Sequence, residues 1–404
     1  VTQIALFFAI VATLASRSKA IPDDHSILSP PLNNSTKTIA DLVNSDTSYS
    51  FFKAAATKTG LIAKLADTNS VFTIFLPDNN AFRASGIPSL AVLNAYPPTV
   101  LGGIVSYAII PGRQYLSTDI PSAFPNIQLP TAITIGQLPG TPVNLQLSTF
   151  PSNSATGFYD NNIPVLQPNI TARNGVIQIV AGIVAPPSQV LRDALYSNPN
   201  LTYFKAAIAR ADSGATGLNR FDSLLNYPVT NMTVLAPNDA AFQTLIFGLA
   251  FQSYLSHFPT PTAMDTANAI ATANGAVAAG PVFLSTNNVS TALIRGVLAY
   301  HLLATNTGAG FQPNIRVFSV NIPPTSSTPF FITTMVNSSV ALHPGIKADA
   351  TYAGPFVTKL QFTGLGTFPP GGAAYSGAPA NAVSLDNHAV NGVYYVIDKV
   401  LLPQ

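Results

Sequence analysis

Two kinds of apolar spacing alternate along the chain. Leu201, Phe204 and Ile208 fall at intervals of three and four, the spacing of one helix face, and Asn198 can cap that helix with Pro199 at its first position. That face is expected to be core. Residues 71–77 read VFTIFLP, an unbroken β-rich apolar run ended by Pro77, which predicts a short strand covered on both sides. Asp78 or Asn79 can cap a helix directly after it, making a strand-to-helix corner. Asn174-Gly175 and Asn391-Gly392 tolerate positive φ and precede the apolar runs VIQIV and VYYVI. Each pair predicts a turn that feeds a final strand.

These patterns occur twice, in the same order. SYSFFKAA around Phe52 matches LTYFKAAI around Phe204 at an offset of 152, and VFTIFLPDNNAF ending at Phe82 matches MTVLAPNDAAF ending at Phe242 at 160. IVSYAIIPG around Tyr107 matches VLAYHLLA around Tyr300 at 193, and NGVIQIVAGIVAPP from Asn174 matches NGVYYVIDKVLLP from Asn391 at 217. Offsets that only grow mean one unit present twice, with 33 and then 24 residues of added loop in the second copy. The reading divides the chain into a signal peptide (1–20), a linker (21–37), a first domain (38–187) and a second domain with insertions (188–404). The junction at Ala185-Pro186-Pro187-Ser188 is short and stiff.

Composition narrows the chemistry. Of 404 residues only 8% are charged while 47% are apolar, which argues against disorder and charge-patterned coiled coils. All sixteen acids are Asp, so metalloprotease HExxH sites and EF-hands, which need Glu, are excluded. The absence of Cys excludes thiol nucleophiles, thiolate zinc sites and disulfides. A net charge of +2, with Arg17 and Lys19 inside the leader, offers no electrostatic footprint for nucleic acid.

Residues 4–14 read IALFFAIVATL, long enough for a signal-peptide core and too short to span a bilayer. Ser18-Lys19-Ala20 fits ordinary signal-peptidase cleavage. Leu14-Ala15-Ser16 looks like the start of a lipobox, but Arg17 stands where the lipid-bearing Cys would be, so the chain as written cannot be lipidated there. The uncharged stretch over 266–294, Thr266 and Ile294 included, is mostly alanine among its apolar members and is a poor membrane span. No transmembrane helix is expected in the mature chain.

The strand followed by P-D/N-N/D-x-A-F, the central Y-H and the terminal N-G-V-x-x-V-I-D-x-V-L-x-P resemble the fasciclin domain. Phrases such as SGIPSLAVLNA, RVFSVNIP and HAVNGVYYVIDKVLLPQ are similar to tandem fasciclin proteins of Bacteroidetes-type bacteria. The resemblance implies an α+β fold of two tandem domains, each a wedge of small β-sheets with helices packed along one side. It implies binding surfaces rather than catalysis, acting as a secreted or cell-surface adhesion module. The implied partners are extracellular matrix, a polysaccharide or a cell-surface protein. The alternative is an extracellular binder of an apolar lipid or pigment, as fasciclin-like carotenoid carriers show for the fold. No cofactor is implied.

The family's Tyr-His attachment pair maps onto Tyr300 and His301, and in the first copy onto Tyr107 followed by Ala108. Aliphatic residues flank His301 on both sides, which favours a hydrogen-bonded core histidine over a surface contact. Phe247, Phe251 and Tyr254, in FGLAFQSYLSHF, are the other candidate binding residues. Two readings stay open for that segment: an exposed aromatic partner surface, or an amphipathic helix whose Phe247, Leu249, Phe251 and Leu255 cover an enlarged core. The Pro/Phe run STPFF at Phe330-Phe331 is another low-charge aromatic stretch of this kind. The five histidines show no i,i+4 pair, and Asp78, Asp239 and Asp398 read as cap or turn residues rather than metal ligands. No GxSxG elbow or phosphate-binding glycine loop is present.

Overall fold

The computed structural model describes residues 35–122, 124–137, 142–285, 289–307, 310–312, 314–368 and 371–403. The apolar segment at 4–14, Arg17 and the Ser18-Lys19-Ala20 cleavage site lie outside the described residues. The described residues fall into two compact units, one of residues up to Pro187 with Gly354–Phe356 and one of Ser188–Ala353 with the residues from Val357 on. Among the described residues no helix is long and apolar enough to cross a membrane.

In the first unit, α1 (Ile39–Ser45) begins with a reciprocal cap. The Asp41 N–H donates to the Thr38 hydroxyl at 3.2 Å, and the Thr38 N–H donates to the Asp41 carboxylate at 2.8 Å. α2 (Ser50–Lys58) and α3 (Leu61–Leu65) follow, with Phe51, Phe52, Ala55 and Ala56 of α2 buried along one face. β1 (Phe72–Pro77) is buried at every position, as its unbroken apolar run requires. Asp78 then caps α4 (Asn79–Ala84) through the Ala81 N–H at 2.7 Å, while Asn79 reaches back to accept the Phe51 N–H of α2 at 3.0 Å. Two adjacent residues thus tie one strand end to two helix starts.

The helical layer is completed by α5 (Leu90–Ala95) and α6 (Pro98–Tyr107). The strands are β2 (Ile109–Pro111), β3 (Leu129–Gln137), β4 (Asn144–Thr149), β5 (Pro151–Ser154), β6 (Gly157–Asp160), β7 (Ile163–Ala172) and β8 (Gly175–Val180). β3 and β4 form a two-stranded sheet, and the main sheet runs β2-β1-β8-β7-β6-β5. β8 is parallel to β1, and β1–β2, β5–β6, β6–β7 and β7–β8 are antiparallel.

The second unit repeats this plan. Its helices are α7 (Leu191–Ser197), α8 (Thr202–Ala211), α9 (Phe221–Asn226), α10 (Asp239–Leu255), α11 (Ala263–Ala278), α12 (Val282–Ser285) and α13 (Thr291–Tyr300). Its strands are β9 (Met232–Pro237), β10 (Leu302–Leu303), β11 (Thr305–Thr307), β12 (Gly310–Gln312), β13 (Phe330–Ile332), β14 (Ile346–Ala353), β15 (Phe356–Thr363), β16 (Ala380–Ala389) and β17 (Gly392–Ile397). The main sheet runs β10-β9-β17-β16-β15-β14-β13, with β17 parallel to β9. Even the parallel registers agree, since Phe72 faces Gly175 and Met232 faces Gly392. The tail of each half completes the sheet that its own first strand begins, and the architecture is α+β.

Two local expectations are corrected. α8 starts at Thr202, not at Pro199, and Asn198 instead closes a small turn by accepting the Asn200 N–H at 3.0 Å. The helix start is served from a distance by Asp239, which accepts from the Thr202 hydroxyl at 2.7 Å and the Tyr203 N–H at 2.9 Å, so no local cap is needed. Leu201, Phe204 and Ile208 are buried as the spacing requires. The amphipathic reading of residues 247–255 is the second correction. Only Ala241, Phe242 and Ile246 of α10 are fully buried; beyond them the helix leaves the core and pairs with α11, whose small Ala269 and Ala273 are buried at i,i+4.

The turn asparagines do more than permit a reversal. Asn174, buried, accepts the Ile39 N–H at 2.9 Å and donates to the Leu65 and Asp67 carbonyls, each at 2.9 Å. Asn391 does the same for Leu191 N–H at 2.7 Å, Leu225 O at 2.9 Å and Tyr227 O at 3.0 Å. One side chain therefore joins the first helix of the unit, the loop before its first strand and its last hairpin. The following glycine is forced by close approach, because a β-carbon on Gly175 would overlap the Phe72 carbonyl oxygen and one on Gly392 that of Met232. Asn174→Ala or Asn391→Ala strands three buried backbone groups, and urea unfolding should show its own unit weakened by about 3 kcal/mol or more. An unmoved midpoint would contradict the clamp.

Candidate functional site

α6 ends on Tyr107 and α13 on Tyr300, so each tyrosine sits where a helix hands over to the short edge strand of its main sheet. Both rings are buried. The Tyr107 hydroxyl donates to Ser148 O at 2.9 Å. The Tyr300 hydroxyl donates to Gly345 O at 2.6 Å and accepts the Leu365 N–H at 3.0 Å, and burial raises its pKa. His301 is also buried: its Nδ1 lies 2.7 Å from Val297 O, and its Nε2 accepts the Leu401 N–H at 3.1 Å. That pattern requires the neutral ring with its proton on Nδ1, and burial pushes its pKa from 6.5 down to about 4. As placed, Tyr107, Tyr300 and His301 lock helix ends to distant backbone and present no side chain to a partner.

The aromatics of the insertion are placed differently. Phe247, Phe251 and Tyr254 are each half-buried along α10. The Phe247 and Phe251 rings stack with centroids 6.1 Å apart, and Tyr254 meets Phe258 at 5.5 Å. Across the helix Gly248 makes a notch filled by Phe368, since a β-carbon there would overlap that ring. α11 is started by a reciprocal cap between Thr262 and Asp265. The pair leaves Leu249 38% and Met264 69% exposed. Asp265 is the one charged residue over 240–294. The hairpin is aromatic-rich and carries this single charge.

The sequence reading missed a further duplicated constellation. The Thr73 hydroxyl donates to Arg113 O at 2.9 Å and accepts the Tyr115 N–H at 2.8 Å; Thr233 treats Ile315 O and Val317 N–H alike, each at 2.8 Å. Next comes a tight turn at Ser117 and at Ser319, held respectively by Asn169 and Asp386, both at positive φ. The signal was present, because QYLSTDIP and RVFSVNIP match at an offset of 202, between the 193 and 217 already seen. Arg316 in the second copy is buried and donates from Nε to Asn231 at 2.7 Å and from Nη2 to Val390 O at 3.1 Å. Its Nη1 meets His388 Nε2 at 2.5 Å, so the imidazole is neutral, and desolvation with the adjacent cation holds its pKa well below 6.5. Asp398 accepts from Asn381 N and Nδ2, each at 2.7 Å, a structural clip between β16 and the end of β17.

Residues 47–186 match the family model described as Fasciclin domain. No curated protein matches the chain. Among solved structures the chain is similar to one titled "Novel Fold Revealed by the Structure of a FAS1 Domain Pair from the Insect Cell Adhesion Molecule Fasciclin I", at 16% identity and a TM-score of 0.32, covering 87% of this chain and 96% of that one. The family match falls within the first unit, and the second unit shares that unit's sheet order, parallel register and asparagine clamp.

The buried titratable groups give the units opposite responses to pH. An unfolded histidine takes up its proton near 6.5 but His301 resists it until about 4, so its unit is fully stable above 6.5. Stability then falls toward pH 4 by about 1.4 kcal/mol per pH unit per histidine. Asp160, buried against the Thr149 hydroxyl, has its pKa raised by desolvation from 3.8 to about 7. The folded carboxyl keeps a proton that the unfolded one releases, so the first unit loses stability as pH rises from 3.8 to about 7. Urea midpoints recorded across that range should show a flatter acid limb for His301→Gln and a flatter neutral limb for Asp160→Asn. Parallel profiles for variant and parent would refute the assignment.

Proposed function

We propose that the protein is a secreted or cell-surface, non-enzymatic adhesion or matrix-binding module, and that the α10–α11 hairpin of its second unit is the contact element. The observation that carries this is the hairpin's surface: half-buried aromatic rings beside the exposed Leu249, Met264 and Ile270, with a single charge over 240–294. Protein-binding surfaces are enriched in aromatics and Met and depleted of charge at their centre. Phe247, Phe251 and Tyr254 are assigned contact roles there; Tyr107, Tyr300 and His301, being buried, support the fold beneath. The match of residues 47–186 to the Fasciclin domain model supports the adhesive reading, and weak contacts made by tandem domains add through avidity.

The test is attachment of cells to a surface coated with the full chain. Tyr254→Ala combined with Met264→Lys should cut retention about tenfold or more with the unfolding midpoint little changed. Tyr300→Phe should do the reverse, lowering stability by about 1 kcal/mol while leaving attachment intact below the melting transition. Attachment that survives the hairpin double substitution would sink the proposal. Export rests on the segment at 4–14 and predicts a mature chain beginning at Ile21, which intact mass of the native protein checks.

A further inference from the structure

We propose that Phe331 and Tyr375 form an aromatic platform that binds the sugar rings of a soluble glycan chain. Neither ring belongs to the α10–α11 hairpin, so the proposal stands apart from the adhesion reading. The two residues come from segments distant in sequence. Phe331 is on β13, the edge strand beyond β14, and Tyr375 is in the connection over 364–379, where the first unit has only Asn161-Asn162 between β6 and β7. The two segments converge to place the rings 5.1 Å apart, with planes inclined at 56°.

Phe331 is 43% exposed, and Tyr375 is partly exposed beside it. Tyr375 has φ +56°, a backbone region that a bulky aromatic residue rarely enters. Its hydroxyl donates to Gly345 O at 3.0 Å, the same carbonyl that takes the Tyr300 hydroxyl, so the ring is fixed before any ligand arrives. Phe331 faces Lys347 across the β13–β14 ladder, which puts both side chains on one face, and Asp349, two residues on, shares it. Lys347 Nζ lies 3.0 Å from the Asp349 carboxylate, and both side chains keep some solvent contact.

A pyranose ring has an apolar C–H face and a rim of hydroxyls that both donate and accept. The aromatic rings suit the first, and the adjacent ammonium and carboxylate suit vicinal hydroxyls of the second. An apolar peptide would strip water from the Lys347–Asp349 pair and return no hydrogen bonds. Because the rings are inclined, they suit a chain that curves, whereas a flat crystalline surface would meet only one of them.

The test is electrophoresis of the full chain through native gels containing laminarin, xylan, galactomannan or hydroxyethyl cellulose as the probe. The wild-type protein should be retarded in at least one gel. Phe331→Ala should weaken that retardation about tenfold, Phe331→Trp should retain it, and both should melt close to the parent because the ring is exposed. Normal migration in all of these gels would overturn the proposal, as would retardation that persists in the Phe331→Ala/Tyr375→Ala double variant. Binding to a protein-coated surface that Phe331→Ala abolishes, with every glycan gel silent, would overturn it in favour of a protein partner.

Discussion

A buried primary amide, hydrogen-bonded at both ends, organises each unit. Asn174 and Asn391 each supply one acceptor and two donors to backbone groups that no strand or helix can reach, and each does so inside an apolar core where an unmet group is costly. The first helix, the entry to the first strand and the closing hairpin are far apart in sequence, so this one side chain fixes the long-range closure. The parallel pairing of β1 with β8, and of β9 with β17, then begins at the glycine that follows. Everything else in the sheet is reached from that pairing by antiparallel neighbours.

Much of this was legible in the sequence because its signals are local. Unbroken apolar runs gave β1 and its counterpart β9, the Asp and Asn after Pro77 and Pro237 gave the helix corners, and the rising offsets gave the duplication. The failures arose where a residue acts at a distance. Asn198 has the local character of a helix cap, but Asp239 already satisfies the start of α8 from another element. The Thr73 and Thr233 hydroxyls left no periodic trace, and the turn motif they hold was visible only by aligning the two copies. In FGLAFQSYL the apolar content left an exposed surface and a core-covering helix both open, and only the buried alanines of α11 show that its partner is another helix.

The candidate site follows the same division. The Tyr-His pair was found readily because its neighbours repeat, and for that reason it proved to be part of the repeated scaffold. The surfaces open to a partner lie instead in what the second copy added. The extension of α10 beyond its match to α4, together with α11 and the 364–379 connection, is far longer than anything at the same place in the first unit, and the extended hairpin leaves Leu249 and Met264 exposed with a single charge nearby. Duplication freed one copy to elaborate while the other kept the minimal form.

The clamp also bears on how long the molecule lasts. In a flexible chain, asparagine followed by glycine readily cyclises to a succinimide and becomes aspartate, because the glycine nitrogen can swing onto the side-chain carbonyl. Here that carbonyl is held by a helix N–H and the glycine is fixed in the parallel ladder, so the folded state shields both Asn174 and Asn391 from this ageing. A unit that opens loses the shield, and deamidation would then replace a donor with an acceptor against two carbonyl oxygens. Each excursion from the native state therefore carries a chance of becoming irreversible, and the same dipeptide that closes the fold records how often it has been left.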